Sequence, residues 1–312
     1  MTDGRKAARP GAIRILEPPV REGWHLTIKN PIEWSGAQIV QAAHVIKTAS
    51  DSLHHMQDTI HSPALMVRRI GVAELRAALV KGYEDFAAYR SDVIFIGVVY
   101  AAVGLVMARL AFGMNLLPLL FPLASGFAII GPFAAVGLYE MSRLREMGAE
   151  VRWSNAFDVF RAPAWGSISV LGLMLMTIFG LWLTAAWLIY LSSFGPAPIT
   201  SVSQFVHDVF RTPGGQTMIV VGMGVGFLFA LLAMTISIVS FPLLLDRDVG
   251  LDTAIRTSVR AVIMNPGPMA LWGLIVAVGL VVGSLPFFVG LVVILPVLGH
   301  AVWHLYRSLV PN

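Results

Sequence analysis

The feature that most restricts this 312-residue chain is an apolar block near its C-terminus, at about residues 269–305. As one helix rising ~1.5 Å per residue it would run roughly 55 Å, nearly twice the ~30 Å hydrocarbon thickness of a bilayer. Gly283-Ser284-Leu285-Pro286 supplies a breaker near the middle, so the block reads as two spans joined by a tight hairpin. Further apolar runs at about 93–112, 117–139, 166–191 and 217–245 bring the expected total to six. Composition agrees: 56% of residues are hydrophobic and 13% charged, against about 25% charged in soluble domains. The fold class expected is therefore all-α, a polytopic membrane helical bundle. A disordered tail, a disulfide-stapled module and an ordinary soluble enzyme are excluded, and the absence of Cys removes thiolate chemistry.

Three regions follow. Residues 1–35, with Pro10, Pro18, Pro19 and Pro31, read as an extended linker. Met1–Gly11 lacks the apolar core of a cleaved leader, so none is expected. Residues 36–91 read as cytoplasmic amphipathic helices. In the first, Ile39, Ala43, Ile46, Leu53 and Ile60 oppose His44, Asp51, His54, Asp58 and His61. In the second, Val72, Leu75, Leu79 and Phe86 form the apolar stripe, and Arg76, Lys81, Glu84 and Asp85 are expected to turn away from it. Residues 92–312 form the six-span domain.

Charge placement gives the orientation. Arg143, Arg145, Arg152 and Arg161 lie between spans two and three, Arg247, Arg256 and Arg260 between four and five, and Arg307 after six. The other side carries Arg109 and Arg211, so both termini are expected in the cytoplasm.

Three units repeat an amphipathic helix, a span and a Pro-bearing span. The amphipathic members are Val72–Phe86, Trp153–Arg161 and Leu251–Met264, and the prolines are Pro132, Pro242 and Pro296. Pro132 precedes Tyr139 and Arg143 by the same intervals at which Pro296 precedes Trp303 and Arg307. Aromatic belts and positive-inside arginines produce such a pattern without ancestry as well, so triplication into three hairpins and chance both stand.

Candidate chemistry is sparse. No Asp, Glu or Lys lies in the middle of a span, which disfavours a coupled transporter with a midplane carboxylate. Glu140 and Arg143, at i, i+3, read as an interfacial ion pair. His300 and His304 share a helix face at i, i+4, a spacing suited to a metal or haem; the competing reading makes them headgroup-level anchors beside Trp303, Tyr306 and Arg307. His54, Asp58 and His61 invite the same two readings, metal face or solvated face. Gly222, Gly224 and Gly226 lie inside an apolar run with no polar loop to receive a phosphate, so Gly222/Gly226 and Gly279/Gly283 read as close helix packing. The basic residues border the spans, where orientation and anionic lipid explain them without nucleic acid. No nucleophile–base signature is present in the sequence.

Four segments carry a family resemblance: Leu116–Arg143, Ser240–Arg247, Asn265-Pro266-Gly267-Pro268-Met269 and Gly299–Arg307. Together, over about residues 70–310, the chain resembles the DUF2189 family of bacterial integral membrane proteins. The resemblance implies the bacterial cytoplasmic membrane and names no activity. Some members are labelled cytochrome c oxidase subunits, but a haem–copper subunit needs His in several spans, and here only span six has them. The expected function is thus non-enzymatic and without cofactor. It is an accessory or structural component of a membrane assembly, a respiratory one among the candidates, with a membrane-protein partner or a second copy alongside lipid. The alternatives are a channel or small-solute transporter built on Pro-kinked spans and a haem- or metal-binding protein using His300 and His304.

Overall fold

The computed structural model describes residues 65–88, 109, 117–196, 199, 201–286 and 289–311. The span expected at 93–112 and the helix expected within 36–61 lie outside the described residues, Arg109 apart.

Among the described residues the secondary structure is helical throughout. Helix α1 is Val72–Ala88. Glu74 accepts from the Gly71 N–H (2.7 Å) at its start, and this bond above all holds the Glu74 carboxyl below its usual range. A short 3-10 turn, Leu117–Leu119, leads into α2 (Leu120–Ala134) and α3 (Val136–Glu146). The 41° bend between α2 and α3 follows Pro132, which removes a helical donor. Trp153–Arg161 is a 3-10 helix, correcting the α-helical reading of that amphipathic segment. Then come α4 (Trp165–Phe194), α5 (Val202–Arg211), α6 (Pro213–Ser237), α7 (Ser240–Asp246), α8 (Leu251–Met264), α9 (Pro266–Ser284) and α10 (Leu291–Leu309). Helix α4 stops at Gly195, whose φ of 73° is left-handed and suits a residue without Cβ.

Among the described residues four helical segments are long and apolar enough to cross a membrane: Trp165–Phe194, Pro213–Asp246, Pro266–Ser284 and Leu291–Leu309. The bent pair α2–α3 makes a fifth if it counts as one span. The long C-terminal block does divide where the breaker stands, α9 ending at Ser284 and α10 starting at Leu291. Small residues permit that hairpin, because a Cβ on Gly283 would lie 2.6 Å from Leu291 Cδ2.

The small-residue reading of α6 divides. Gly226 packs beneath the Trp182 ring of α4, whereas Gly222 and Gly224 have open space around them. Helix α5 was not expected from the sequence. Ser201 caps it, Thr212-Pro213 ends it, and Val202, Val206 and Phe210 form an exposed apolar stripe.

The break within Pro213–Asp246 has a local cause. Val239 N–H donates to Ser258 Oγ (3.2 Å), and Ser258 Oγ donates to the Thr235 carbonyl (2.8 Å). Those two backbone groups are the i, i+4 partners of a continuous helix, so a hydroxyl from α8 has inserted into the ladder.

At one end of the molecule α1 lies along α10, and α3 packs on both α10 and the Trp153–Arg161 segment. The contact of α1 with α10 is backbone-close. A Cβ on Gly82 would sit 2.6 Å from the Ala301 nitrogen. The extended residues before α1 are held by Asn265, whose Oδ1 accepts from Ile70 N–H (2.8 Å) while its Nδ2 donates to the Arg68 and Ala261 carbonyls. Arg68 N–H also donates to the Leu309 carbonyl (2.8 Å).

Candidate functional site

The residues buried on α1 are Leu75, Ala78, Gly82, Asp85 and Phe86. Their spacing of 3, 4, 3 and 1 is that of a helix seam, and it places a carboxylate among apolar residues. Asp85, expected on the solvent side, is 4% exposed. The reason for the correction is tertiary: three donors from two other helices meet it. Ser142 Oγ donates to Oδ2 (2.6 Å), His304 Nε2 lies 2.8 Å from the same oxygen, and Arg145 donates to Oδ1 (2.6 Å). A carboxylate so surrounded is satisfied inside a protein, whereas an unpaired one is not. Burial pushes the Asp85 carboxyl upward. The bonds from His304 and Ser142 outweigh burial and hold it below the usual carboxylate range.

Ser142 Oγ also lies 2.8 Å from His300 Nδ1. Since the Ser142 hydrogen goes to Asp85, the bond logic makes His300 Nδ1–H the donor, and in the neutral ring Nε2 is then a bare acceptor. His300 is wholly buried, and among the described residues its Nε2 has no hydrogen-bond partner within bonding geometry. The pair singled out from sequence is thus brought together around a carboxylate from α1. Among the described residues no group of three His, Asp or Glu side chains is set to hold a metal ion. His54, Asp58 and His61 lie outside the described residues.

A second polar cluster adjoins the first. Glu146 of α3 accepts from Trp303 Nε1 (2.9 Å) and Arg307 Nε (3.0 Å) of α10. Asp246 of α7 accepts from the Tyr306 hydroxyl (2.6 Å) and Arg307 (3.1 Å). Arg307 also lies over the Trp303 ring, 5.9 Å from its centroid. On the neighbouring face of α3 the expected Glu140–Arg143 pair is present and bidentate, both bonds 2.7 Å. The two clusters tie α1, α3, α7 and α10 into one polar layer.

The chemistry of this layer is mutual satisfaction. Asp85, Glu140, Glu146 and Asp246 each accept hydrogen bonds from charged or polar partners. Sequence reasoning flagged the two histidines and the Glu140–Arg143 pair but missed Asp85, Ser142 and Asp246. The one local signal for Asp85 was its place on the Leu75–Ala78–Gly82 seam.

Residues 119–246 match the family model described as predicted integral membrane protein (DUF2189), which bears out the resemblance read from the sequence. The match takes in α2 to α7, while the Asn265–Met269 and Gly299–Arg307 segments lie beyond it. No curated protein and no solved structure matches the chain.

Proposed function

We propose that this integral membrane protein catalyses no reaction and serves as an accessory or structural component of a larger membrane assembly. The observation that carries the reading is the mutual satisfaction of the clustered carboxylates, from buried Asp85 to exposed Glu146: each has its donors in place, as in a scaffold, and none is left poised for a substrate. The transmembrane faces are suited to lateral contact. Val220, Met223, Phe227 and Leu228 of α6 are exposed around Gly222 and Gly224, which have open space about them, and Leu274, Val278 and Val281 of α9 are exposed likewise.

In this reading the chain has six spans, the first at 93–112, with both termini in the cytoplasm of a bacterium. The gathering of α3, α7 and the end of α10 supports descent from three hairpins, because the ends of the three Pro-bearing spans meet in one layer. Tyr139 and Trp303, seven residues after Pro132 and Pro296, are both fully buried, and Arg143 and Arg307 both pair with carboxylates. A lipid-facing aromatic belt does not require that burial.

Affinity purification of the full chain from its own membranes in mild detergent tests the proposal. A stoichiometric membrane-protein partner, or a defined homo-oligomer, is the expected result. A reproducibly lone monomer sinks it.

A further inference from the structure

Beside the Trp153–Arg161 3-10 helix lies a cleft of about 480 Å³ lined by Ser154, Phe157, Asp158, Phe160 and Arg161. In a 3-10 helix the side chains at i and i+3 eclipse, so the segment presents three ridges. Ala156 and Val159 form the one turned inward, with Val159 buried and Ala156 against Gly137, where a Cβ would sit 2.8 Å from the Ala156 carbonyl. Ser154, Phe157 and Phe160 form the second. Asn155, Asp158 and Arg161 form the third. The cleft runs along an aromatic ridge and a charged one.

We propose that this cleft holds the headgroup of a membrane phospholipid carrying both a phosphate and a primary amine. Three observations point there. The first is depth: Phe160 meets Trp165 edge-on at 4.6 Å, and Trp165 is the first residue of the span-forming helix α4, which sets the cleft at the mouth of a span. The second is amphipathy at that depth, with Phe157 and Phe160 half exposed at 51% and 52%, as side chains that lie along glycerol and upper acyl chain would be. The third is charge. Asp158 and Arg161, one 3-10 turn apart, form no ion pair with each other. Among the described residues Asp158 is bonded to the Asn155 amide (2.7 Å) and Arg161 has no ion pair. A headgroup with phosphate toward Arg161 and Ser154, and ammonium toward Asp158, satisfies both charges at once. An anionic headgroup without an amine would leave Asp158 facing a phosphate. The inference needs only the membrane location and not the assembly reading.

The test uses full-length protein in nanodiscs of phosphatidylethanolamine and phosphatidylglycerol at known ratio, extracted in mild detergent, with retained lipid counted by mass spectrometry. Exposed ion pairs of this kind are worth a factor of about two to five, so phosphatidylethanolamine is expected enriched by that much over the bulk ratio. Asp158→Asn should return the ratio to bulk at an unchanged melting temperature, and Arg161→Gln should lower retention of both lipids. Replacing the amine lipid by phosphatidylcholine, which has no N–H to donate, should reduce the enrichment. Soluble glycerophosphoethanolamine should not displace the lipid, and its doing so would overturn the commitment to a lipid. A bulk ratio in the unmodified protein, or enrichment surviving both substitutions, overturns the proposal.

Discussion

His304 Nε2 lies 2.8 Å from Asp85 Oδ2, joining the last helix of the chain to the amphipathic helix before the spans across 219 residues of sequence. Around that contact Ser142 and Arg145 of α3 complete the carboxylate's bonding, so one side chain fixes three helices. A carboxylate on an apolar seam tolerates one register alone, the one that meets its donors. The seam is also close at that point, Gly82 lying on the Ala301 backbone.

Replacing Asp85 by Ala therefore removes the acceptor shared by His304, Ser142 and Arg145 and leaves donors buried. Breaking a buried cluster of this kind costs about 3–5 kcal/mol. The chain has no Cys, so a single Ala78→Cys on the buried face of α1 is a clean reporter. Its maleimide labelling should be slow in the otherwise unmodified protein and fast beside Asp85→Ala. Equal protection in both would show that apolar packing alone docks α1.

The same carboxylate predicts an acid limit. Folding holds Asp85 below its ordinary range, so the folded protein releases that proton more readily than the unfolded chain. The stabilisation is complete above the unfolded carboxylate value of about 3.9 and is lost as pH falls through the lower folded value. The melting-temperature difference between the unmodified protein and Asp85→Asn should stay constant from neutral pH to about 5 and shrink below about 4. Shrinkage already between pH 7 and 5 would assign the effect to the histidines.

What the sequence made legible and what it hid follow from range. Apolar runs locate helices because burial in lipid needs only local composition, and the split at Gly283–Pro286 was legible for the same reason. The Trp153–Arg161 segment was read with the wrong period because nine residues barely separate three from 3.6 per turn. Helix α5 carried a Ser201 cap and a Val202–Val206–Phe210 stripe, but it is short and lies between spans that dominate the pattern. Asp85 was assigned to solvent because its partners stand 57, 60 and 219 residues away. His300 and His304 were visible as a pair, while the carboxylate they serve was not.

Glycines divide by what a methyl would meet, and the signs of two substitutions should differ. Gly82→Ala pushes a Cβ into the Ala301 backbone, where overpacking costs about 1–3 kcal/mol. Gly222→Ala enters open space within a helix and should be neutral or stabilising by about 0.5–1 kcal/mol. Thermal melting in detergent checks both. Gly222→Leu extends the contrast, keeping the monomer's melting temperature while lowering recovery of any partner that packs on α6. Loss of monomer stability instead would place that face inside the protein.

Ser258→Ala should unmask the break in Pro213–Asp246. The hydroxyl stands between the Val239 N–H and the Thr235 carbonyl, and Ser258 is wholly buried, so its removal orphans a buried N–H and a part-buried carbonyl. Leaving buried polar groups unmet costs about 1–3 kcal/mol. One escape is open to the chain: the helix straightens and the two groups bond directly, which would carry Ser240–Asp246 and its bonds to Tyr306 and Arg307 out of the polar layer. Thr257→Ala is the control, since Thr257 Oγ1 bonds only the Thr253 carbonyl of its own helix and its loss costs less than about 1 kcal/mol. Melting of both variants in detergent, with trypsin cleavage at Arg247 as the local readout, separates the cases. A stable Ser258→Ala protein with Arg247 newly cleaved means the helix straightened, and a destabilised one means the break is held by α7's own packing. Identical behaviour of Ser258→Ala and Thr257→Ala would remove the inserted hydroxyl from the account of the break.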